Sequence, residues 1–170
     1  ATGKPIQPNA APGDTKFEDL NGDGVISDDN EDRTMIGKPN PDWIVGLTVA
    51  ADWNGFDLSA FFQGSFGADV FDALRRYELA AVNYTSDALE RWTGPGTSNS
   101  MPRIVLGDTP KNFRPSTLLV HDASFLRLRN LQVGYTLPAQ LIRKAYIQRL
   151  RFYASFDNLL TITGYKGMDP

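Results

Sequence analysis

The 170-residue sequence predicts an all-β fold, in which antiparallel strands form part of a large transmembrane β-barrel and long extracellular loops contain short helices. Three observations lead to this prediction. Apolar residues alternate with polar or small residues in four segments, which is the periodicity of strands. The clearest segments are about ten residues long, the length that a tilted strand needs to cross a bilayer. A tight turn is followed by a long connection, as in barrels that have short turns on one side of the membrane and long loops on the other.

Residues 43–66 are predicted to form a transmembrane hairpin. The apolar face of its first strand consists of Trp43, Val45, Leu47, Val49, Ala51 and Trp53. After Asn54-Gly55, a dipeptide that tolerates the positive φ angles of a hairpin turn, the apolar face resumes with Phe56, Leu58, Ala60, Phe62, Gly64 and Phe66. Aromatic residues at both ends of such a face are typical of the girdles of outer-membrane barrels. A half-buried hairpin of a soluble sandwich also alternates, and this segment alone leaves both interpretations open.

Composition excludes several kinds of site. The chain has no cysteine, which excludes disulfides, thiolate catalysis and cysteine-based zinc sites. Its single histidine, His121, gives little basis for a histidine metal site or a catalytic triad, and we expect a structural role for it. The net charge of −3 gives no reason to expect a nucleic-acid partner. The sequence also has no apolar run long enough for a transmembrane helix.

The range 1–42 is predicted to be an extracellular loop with a calcium-type motif. Asp19, Asn21 and Asp23 occupy positions 1, 3 and 5 of an EF-hand-like loop, with glycine at position 6. The backbone carbonyl of Val25 follows at position 7, and Glu31 or Asp32 is expected to close the site in place of the usual glutamate at position 12. A hard dication needs that many converging oxygens, so Ca²⁺ is the expected cofactor. An Asp/Asn/Gly-rich turn that binds nothing is the alternative.

The rest of the chain is predicted to form one more hairpin between two further loops. Residues 67–123 are expected to be a long extracellular loop with short helices, because Val70, Leu74, Tyr77 and Leu79 have local helical spacing. Residues 124–160 are expected to be a second transmembrane hairpin. Its first strand changes parity near Arg129-Asn130, which suggests a β-bulge, and its second strand fades at Asn158. Residues 161–170 are then the start of the next extracellular loop.

Several segments in the same order resemble one known family. They are Asp19-Leu20-Asn21-Gly22-Asp23-Gly24, Asp32-Arg33-Thr34, Gly55-Phe56-Asp57-Leu58-Ser59, Arg91-Trp92-Thr93-Gly94, Ser124-Phe125-Leu126-Arg127-Leu128, Gly134-Tyr135-Thr136-Leu137-Pro138 and Asn158-Leu159-Leu160-Thr161. Together they resemble the C-terminal barrel region of the SusC/RagA family, the TonB-dependent outer-membrane transporters of Bacteroidetes. The sequence has no plug, no TonB box and no final strand ending in an aromatic residue, so it is expected to be a fragment.

The resemblance implies a function and a set of partners. Family members are expected to import glycan or peptide fragments through a barrel in the outer membrane, under a SusD-like surface lipoprotein and driven through TonB by the missing N-terminal part. This segment then supplies barrel wall, in contact with outer-membrane lipid, together with surface loops. The residues expected to face the lumen or substrate are Asp57, Ser59, Gln63, Arg151 and Asp157, with Trp92 as a loop contact.

Two hypotheses from other classes stand beside this one. The chain is alternatively a secreted calcium-dependent β-domain that binds glycans, with Trp92, Tyr77 and Tyr84 stacking on sugar rings. An enzyme is not expected, because no pair of carboxylates is placed across a predicted cleft. Solubility without detergent distinguishes the transporter segment from the secreted domain. Exposed apolar strand faces would make an isolated transporter segment aggregate.

Overall fold

The computed structural model describes residues 6–26, 30–74, 77, 79 and 83–167, and the chain divides into two compact units. The first, here called the loop unit, comprises Ala1–Ile36 and Phe71–Val120. The second, here called the strand unit, comprises Gly37–Val70 and His121–Pro170. No helix in the described part of the chain has the length and apolarity needed to cross a bilayer.

Four long strands form the sheet of the strand unit. They are β1 (Trp43–Trp53), β2 (Phe56–Phe66), β5 (Phe125–Thr136) and β6 (Arg151–Thr163), and they lie in the order β1-β2-β5-β6. All three neighbouring pairs are antiparallel. A separate two-stranded sheet pairs β3 (Asp69–Phe71) with β4 (Val120–Asp122). The predicted antiparallel all-β architecture is therefore confirmed, while closure into a barrel remains a prediction.

The turn between β1 and β2 is the two-residue turn expected from Asn54-Gly55. Both residues have positive φ angles, 48° and 86°, as a type I′ hairpin turn requires. A side chain at Gly55 would place its Cβ 2.8 Å from the carbonyl oxygen of Thr136. That carbonyl belongs to the end of β5, and the Thr136 amide in turn donates a 2.7 Å hydrogen bond to the Gly55 carbonyl. Only glycine allows the turn and the end of β5 to approach this closely.

The β-bulge predicted near Arg129-Asn130 is confirmed. Phe61 pairs with Asn130 and Phe62 with Leu128, so Arg129 has no partner residue on β2. The pairing of β5 with β6 is interrupted at the same point, between Leu128 and Asn130. One extra residue on β5 brings its apolar residues before and after the bulge onto the same face of the sheet.

Two predictions about element bounds were wrong. The strand β6 does not fade at Asn158 but continues to Thr163, because the irregularity at Asn158, whose φ is 52°, is followed by renewed pairing of Leu160 and Ile162 with β5. The adjacent polar pair Asp157-Asn158 breaks the alternation in sequence without ending the strand. Val70 lies in β3 rather than in a helix, since local helical spacing does not outweigh strand pairing with β4.

The described helices are all short. The α-helix α1 covers Ala139–Ile142, and 3-10 helices cover Asn30–Asp32, Ser86–Glu90, Leu106–Asp108, Thr117–Leu119 and Arg143–Ala145. In the loop unit, Tyr77, Ala88 and Met101 form a buried cluster, against which Ile104 and Phe113 pack. The loop unit therefore has an apolar core although it has little regular structure.

Candidate functional site

The sheet has one apolar face and one polar face, and its register shows which residues share each face. The apolar face carries Trp43, Val45, Leu47, Val49, Ala51 and Trp53 of β1, Phe56, Leu58, Ala60 and Phe62 of β2, Leu126, Leu128, Leu131, Val133 and Tyr135 of β5, and Phe152, Ala154, Phe156, Leu160 and Ile162 of β6. Most of these side chains are exposed, for example Leu47 at 58%. A contiguous apolar surface of this size on a monomer marks an interaction surface.

The length of the apolar face fits a bilayer. From Trp43 to Trp53, β1 rises about 33 Å at about 3.3 Å per residue. A tilt of about 40° reduces this rise to about 25 Å, the height of the apolar band of outer-membrane barrels. One end of the face is a continuous aromatic row, because Trp53 is paired with Phe56, Phe56 with Tyr135, and Tyr135 with Phe152. The rings of Phe56 and Tyr135 lie 4.5 Å apart between centroids.

The polar face holds an ion pair that crosses the sheet. Arg151 on β6 donates two hydrogen bonds to the Asp57 carboxylate on β2, at 2.9 Å from Nε and 2.5 Å from Nη2. The two strands are not neighbours, and the pair passes over Gly134 on β5 between them. A Cβ at position 134 would lie 2.5 Å from Asp57 Oδ2 and 2.6 Å from Arg151 Nη2. The absent side chain of Gly134 therefore makes room for a bidentate pair that links three strands.

A second polar cluster lies on the same face at the bulge. The side-chain amide of Asn130 donates to the Asp157 carboxylate at 2.8 Å and to the Ser155 hydroxyl at 3.1 Å. Toward the other end of the sheet, the guanidinium of Arg127 donates to the Thr161 hydroxyl at 3.1 Å. The face thus presents acidic, basic, amide and hydroxyl groups along its length, which suits contact with water and polar ligands.

The residues predicted to face the lumen fall into two places. Asp57, Ser59, Gln63, Arg151 and Asp157 all lie on the polar face. Trp92 lies in the loop unit instead, where its ring covers Gly13 so closely that a Cβ there would overlap it, and its amide donates a 3.0 Å hydrogen bond to the Met101 carbonyl. Trp92 is half-buried in this packing, which favours an anchoring role for the ring. Its role as a substrate contact stays a prediction.

The calcium-type loop folds onto its own backbone. The Asp19 carboxylate accepts hydrogen bonds from the amides of Gly22 and Gly24, at 2.7 and 2.8 Å. Both closing candidates return to the loop: Glu31 accepts a 3.4 Å bond from the Asn21 amide group and Asp32 accepts a 3.1 Å bond from the Leu20 amide. The remaining predicted ligands, Asp23 and the Val25 carbonyl, lie in the same turn, where the Val25 amide donates to Asp23 at 2.8 Å.

These oxygens are the ligands that Ca²⁺ prefers, and the loop brings the carboxylates of positions 19, 23, 31 and 32 back toward one segment. Among the described residues, however, no group of three histidine, aspartate or glutamate side chains is arranged so that it could hold a metal ion. In the structure the carboxylates and Asn21 satisfy amide donors of the loop itself. The calcium site therefore stays a prediction.

Sequence reasoning missed a buried polar cluster in the loop unit. Arg103 pairs with Asp14 through two hydrogen bonds of 2.5 and 2.9 Å, and the Asn112 side chain donates to Asp14 at 2.9 Å. The Asn112 side-chain oxygen accepts from the Thr15 amide at 2.8 Å, and Asn112 is completely buried. Burial raises the pKa of Asp14, but the hydrogen bonds from Arg103 and Asn112 outweigh it and hold the pKa below its ordinary value. No local motif marks these residues, because the partners lie 89 to 98 positions apart.

Comparison with known proteins finds relatives of the chain over nearly its whole length. No family model matches the chain. It is 37% identical over 160 residues to TonB-dependent receptor P3 of Formosa agariphila. The aligned region covers 94% of this chain and 15% of that receptor. It is also 30% identical over 164 residues to TonB-dependent receptor SusC of Bacteroides thetaiotaomicron, covering 95% of this chain and 16% of that receptor. Over nearly its whole length, the chain is homologous to a segment of SusC-type TonB-dependent receptors.

Solved structures support the same assignment. The chain matches the RagAB peptide importer in its closed-closed state with a TM-score of 0.69 and 28% identity, over 91% of this chain and 17% of that chain. The open-open state of the same importer matches with a TM-score of 0.60 and 32% identity, over 76% of this chain. The chain spans about a sixth of the length of these SusC-type relatives.

Proposed function

We propose that this chain forms a stretch of barrel wall in an outer-membrane importer of the SusC type. Its apolar face contacts lipid, and its polar face lines the lumen through which nutrient passes. The single observation that carries the proposal is the separation of residue types across the four-stranded sheet, with apolar side chains on one face and mostly polar or small side chains on the other.

The apolar face is largely exposed. Trp43, Leu47 and Trp53 of β1 are 71%, 58% and 77% exposed, so the strand unit itself covers little of this face. At about 25 cal/mol per Å² of apolar surface, leaving such a face in water costs many kilocalories per mole, whereas lipid covers it without cost. A secreted glycan-binding domain has no such cover, and no contact among the described residues favours that alternative.

The partners and the cargo of the importer are part of the same proposal. Matched proteins are named as TonB-dependent receptors and as a peptide importer, which supports coupling to TonB and uptake of peptide fragments. We also propose oligosaccharide fragments as cargo, on the sequence resemblance alone. The complex named RagAB supports a second subunit, which we propose to be a SusD-like lipoprotein at the cell surface. We also propose, from the sequence prediction, that residues 1–42 and 67–123 form extracellular loops and that the Asn54-Gly55 turn faces the periplasm.

Uptake through polar-face variants tests the proposal. The full native polypeptide that carries this sequence is expressed in its own outer membrane, and uptake of labelled oligopeptide and oligosaccharide is measured with and without a functional TonB. Gln63→Trp adds bulk to the polar face and is expected to reduce TonB-dependent uptake severalfold at unchanged surface amount. The matched control Val49→Leu enlarges an apolar-face residue and is expected to leave uptake unchanged. Equal uptake in both variants, or uptake independent of TonB, contradicts the proposal.

We further propose that the loop around Asp19 and Asp23 binds Ca²⁺, with Asn21, the Val25 carbonyl and either Glu31 or Asp32 as the other ligands. Support comes from the oxygen spacing and from the return of both closing candidates to the loop. Because the sequence predicts no EF-hand helices around the loop, a dissociation constant on the order of 10⁻⁴ to 10⁻³ M is expected in a detached fragment, and a tighter one in the intact barrel. Calorimetry compares wild type with Asp23→Ala and with Glu18→Ala, an exposed carboxylate outside the motif. Calcium heats are expected to vanish only in Asp23→Ala, and equal heats in all three proteins contradict the site.

A further inference from the structure

The connection between β5 and β6, residues 137–150, has a charge unlike that of the whole chain. It contains Arg143, Lys144 and Arg149 and no acidic residue, whereas the chain as a whole has a net charge of −3. All three side chains are exposed. Among the described residues, Arg143 and Lys144 form no ion pair or side-chain hydrogen bond. Two cations at the end of the sheet are therefore available for an anionic partner.

The connection is an ordered element. Its ends meet through a 2.9 Å hydrogen bond from the Leu137 amide to the Leu150 carbonyl. Within it, Ile142 is buried at 5% exposure, and Tyr146 adopts a left-handed conformation with φ of 60°. Leu141 and Tyr146 nevertheless remain 69% and 98% exposed. The connection thus holds an apolar residue, an aromatic residue and cations on its surface.

The position of this connection relative to the apolar face is fixed by the register. Thr136 ends β5 one residue after Tyr135, which belongs to the aromatic row with Trp53, Phe56 and Phe152. The row lies at the same end of the sheet as the Asn54-Gly55 turn. The cations of the connection therefore lie directly beyond the aromatic row, in the direction that leads out of the apolar band.

This order of groups matches the layers of a membrane surface. Aromatic rings occupy the interface between hydrocarbon and headgroups, and Lys or Arg just beyond them reach the phosphates. Anionic lipids attract such basic segments with about 1 kcal/mol for each Lys or Arg near the surface. We propose that the β5–β6 connection binds the headgroups of anionic phospholipids, through Arg143 and Lys144, with Leu141 and Tyr146 in the interface. This inference rests on the proposed function, because it requires the apolar face to be in lipid.

Lipid retention tests the headgroup site. The full native polypeptide is reconstituted in nanodiscs of phosphatidylcholine with graded phosphatidylglycerol, and phospholipid retained by the protein is measured by native mass spectrometry. Arg143→Gln with Lys144→Gln is compared with Lys16→Gln with Lys166→Gln, which removes the same charge at exposed positions outside the connection. At low salt the first pair is expected to lower the preference for phosphatidylglycerol about 30-fold, the equivalent of about 1 kcal/mol for each side chain. The control pair is expected to keep the wild-type preference.

The outcomes separate the two proposals. Incorporation of wild-type protein into nanodiscs without selective retention of phosphatidylglycerol overturns the headgroup site and leaves the proposed function standing. Equal loss in both double variants also overturns it, because the effect is then net charge alone. Competition by a soluble acidic peptide at the same two residues overturns it in favour of a protein partner. Failure of wild type to enter nanodiscs at all contradicts the proposed function itself. For every variant, the difference in gel mobility between heated and unheated samples shows whether the protein is folded.

Discussion

The strand unit and the loop unit are stabilised in opposite ways. The loop unit has its own interior, in which Tyr77 is 2% exposed and the fully buried Asn112 has partners for both ends of its side-chain amide. The sheet of the strand unit exposes large side chains on its apolar face, including Trp53 at 77%. The loop unit therefore covers these side chains itself, whereas the apolar face of the sheet depends on what surrounds it. A change in the surroundings, such as lipid for water, is expected to act on the sheet first.

The largest expected effect is a charge on the apolar face. Leu47→Lys or Leu58→Lys should cost about 2 to 4 kcal/mol, because a charge near the middle of the bilayer is poorly solvated. Thr48→Lys, on the polar face next to Leu47, is the matched control and should cost little. Unfolding of the full native polypeptide by urea from phospholipid vesicles measures both. Equal costs at positions 47 and 48 would remove the distinction between the faces.

A smaller effect is expected inside the loop unit. Asn112→Ala removes one hydrogen-bond partner from the Thr15 amide and one from the Asp14 carboxylate, at a buried position. This loss should lower the free energy of unfolding by about 1 to 3 kcal/mol. Asn99→Ala, at an exposed position of the same unit, is the control and should be near neutral. Native-state hydrogen exchange of the loop amides reports the local change. Exchange in the sheet should stay unchanged, and loosening of the sheet by Asn112→Ala would contradict the independence of the two units.

The smallest expected effect is a dependence of loop stability on pH. The pKa of Asp14 is below its ordinary value in the folded loop, so the carboxylate stabilises the loop above the ordinary carboxyl pKa of about 3.9. That contribution should be lost as the pH falls through the lowered pKa of the folded state. This pH dependence is measured by hydrogen exchange of the loop-unit amides from neutral to strongly acidic pH, corrected for intrinsic exchange rates. Asp14→Asn should remove this dependence, and an unchanged profile in that variant would exclude Asp14 as its source.

The strands were predictable from sequence and the buried polar cluster was not. Alternation in residues 43–66 predicted both strands, their turn and their faces, because a period of two is a local signal that each strand carries by itself. The bulge was visible as a change of parity near Arg129. The continuation of β6 to Thr163 was missed, since Asp157-Asn158 interrupts the alternation. The pairing of Asp14 with Arg103 was out of reach because it depends on a contact between residues 89 positions apart.

Successive residues of β1 are expected to face lipid and water alternately. Single cysteines introduced at 44, 45, 47, 48, 49 and 50 meet no native cysteine in this chain, and a spin label on each reports whether its surroundings are lipid or water. Power-saturation spectroscopy of the full native polypeptide in vesicles compares collision with oxygen, which concentrates in lipid, and with a water-soluble nickel complex. High oxygen and low nickel accessibility are expected at 45, 47 and 49, and the reverse at 44, 48 and 50. Accessibility without a period of two, or nickel access at all six positions, would contradict this alternation.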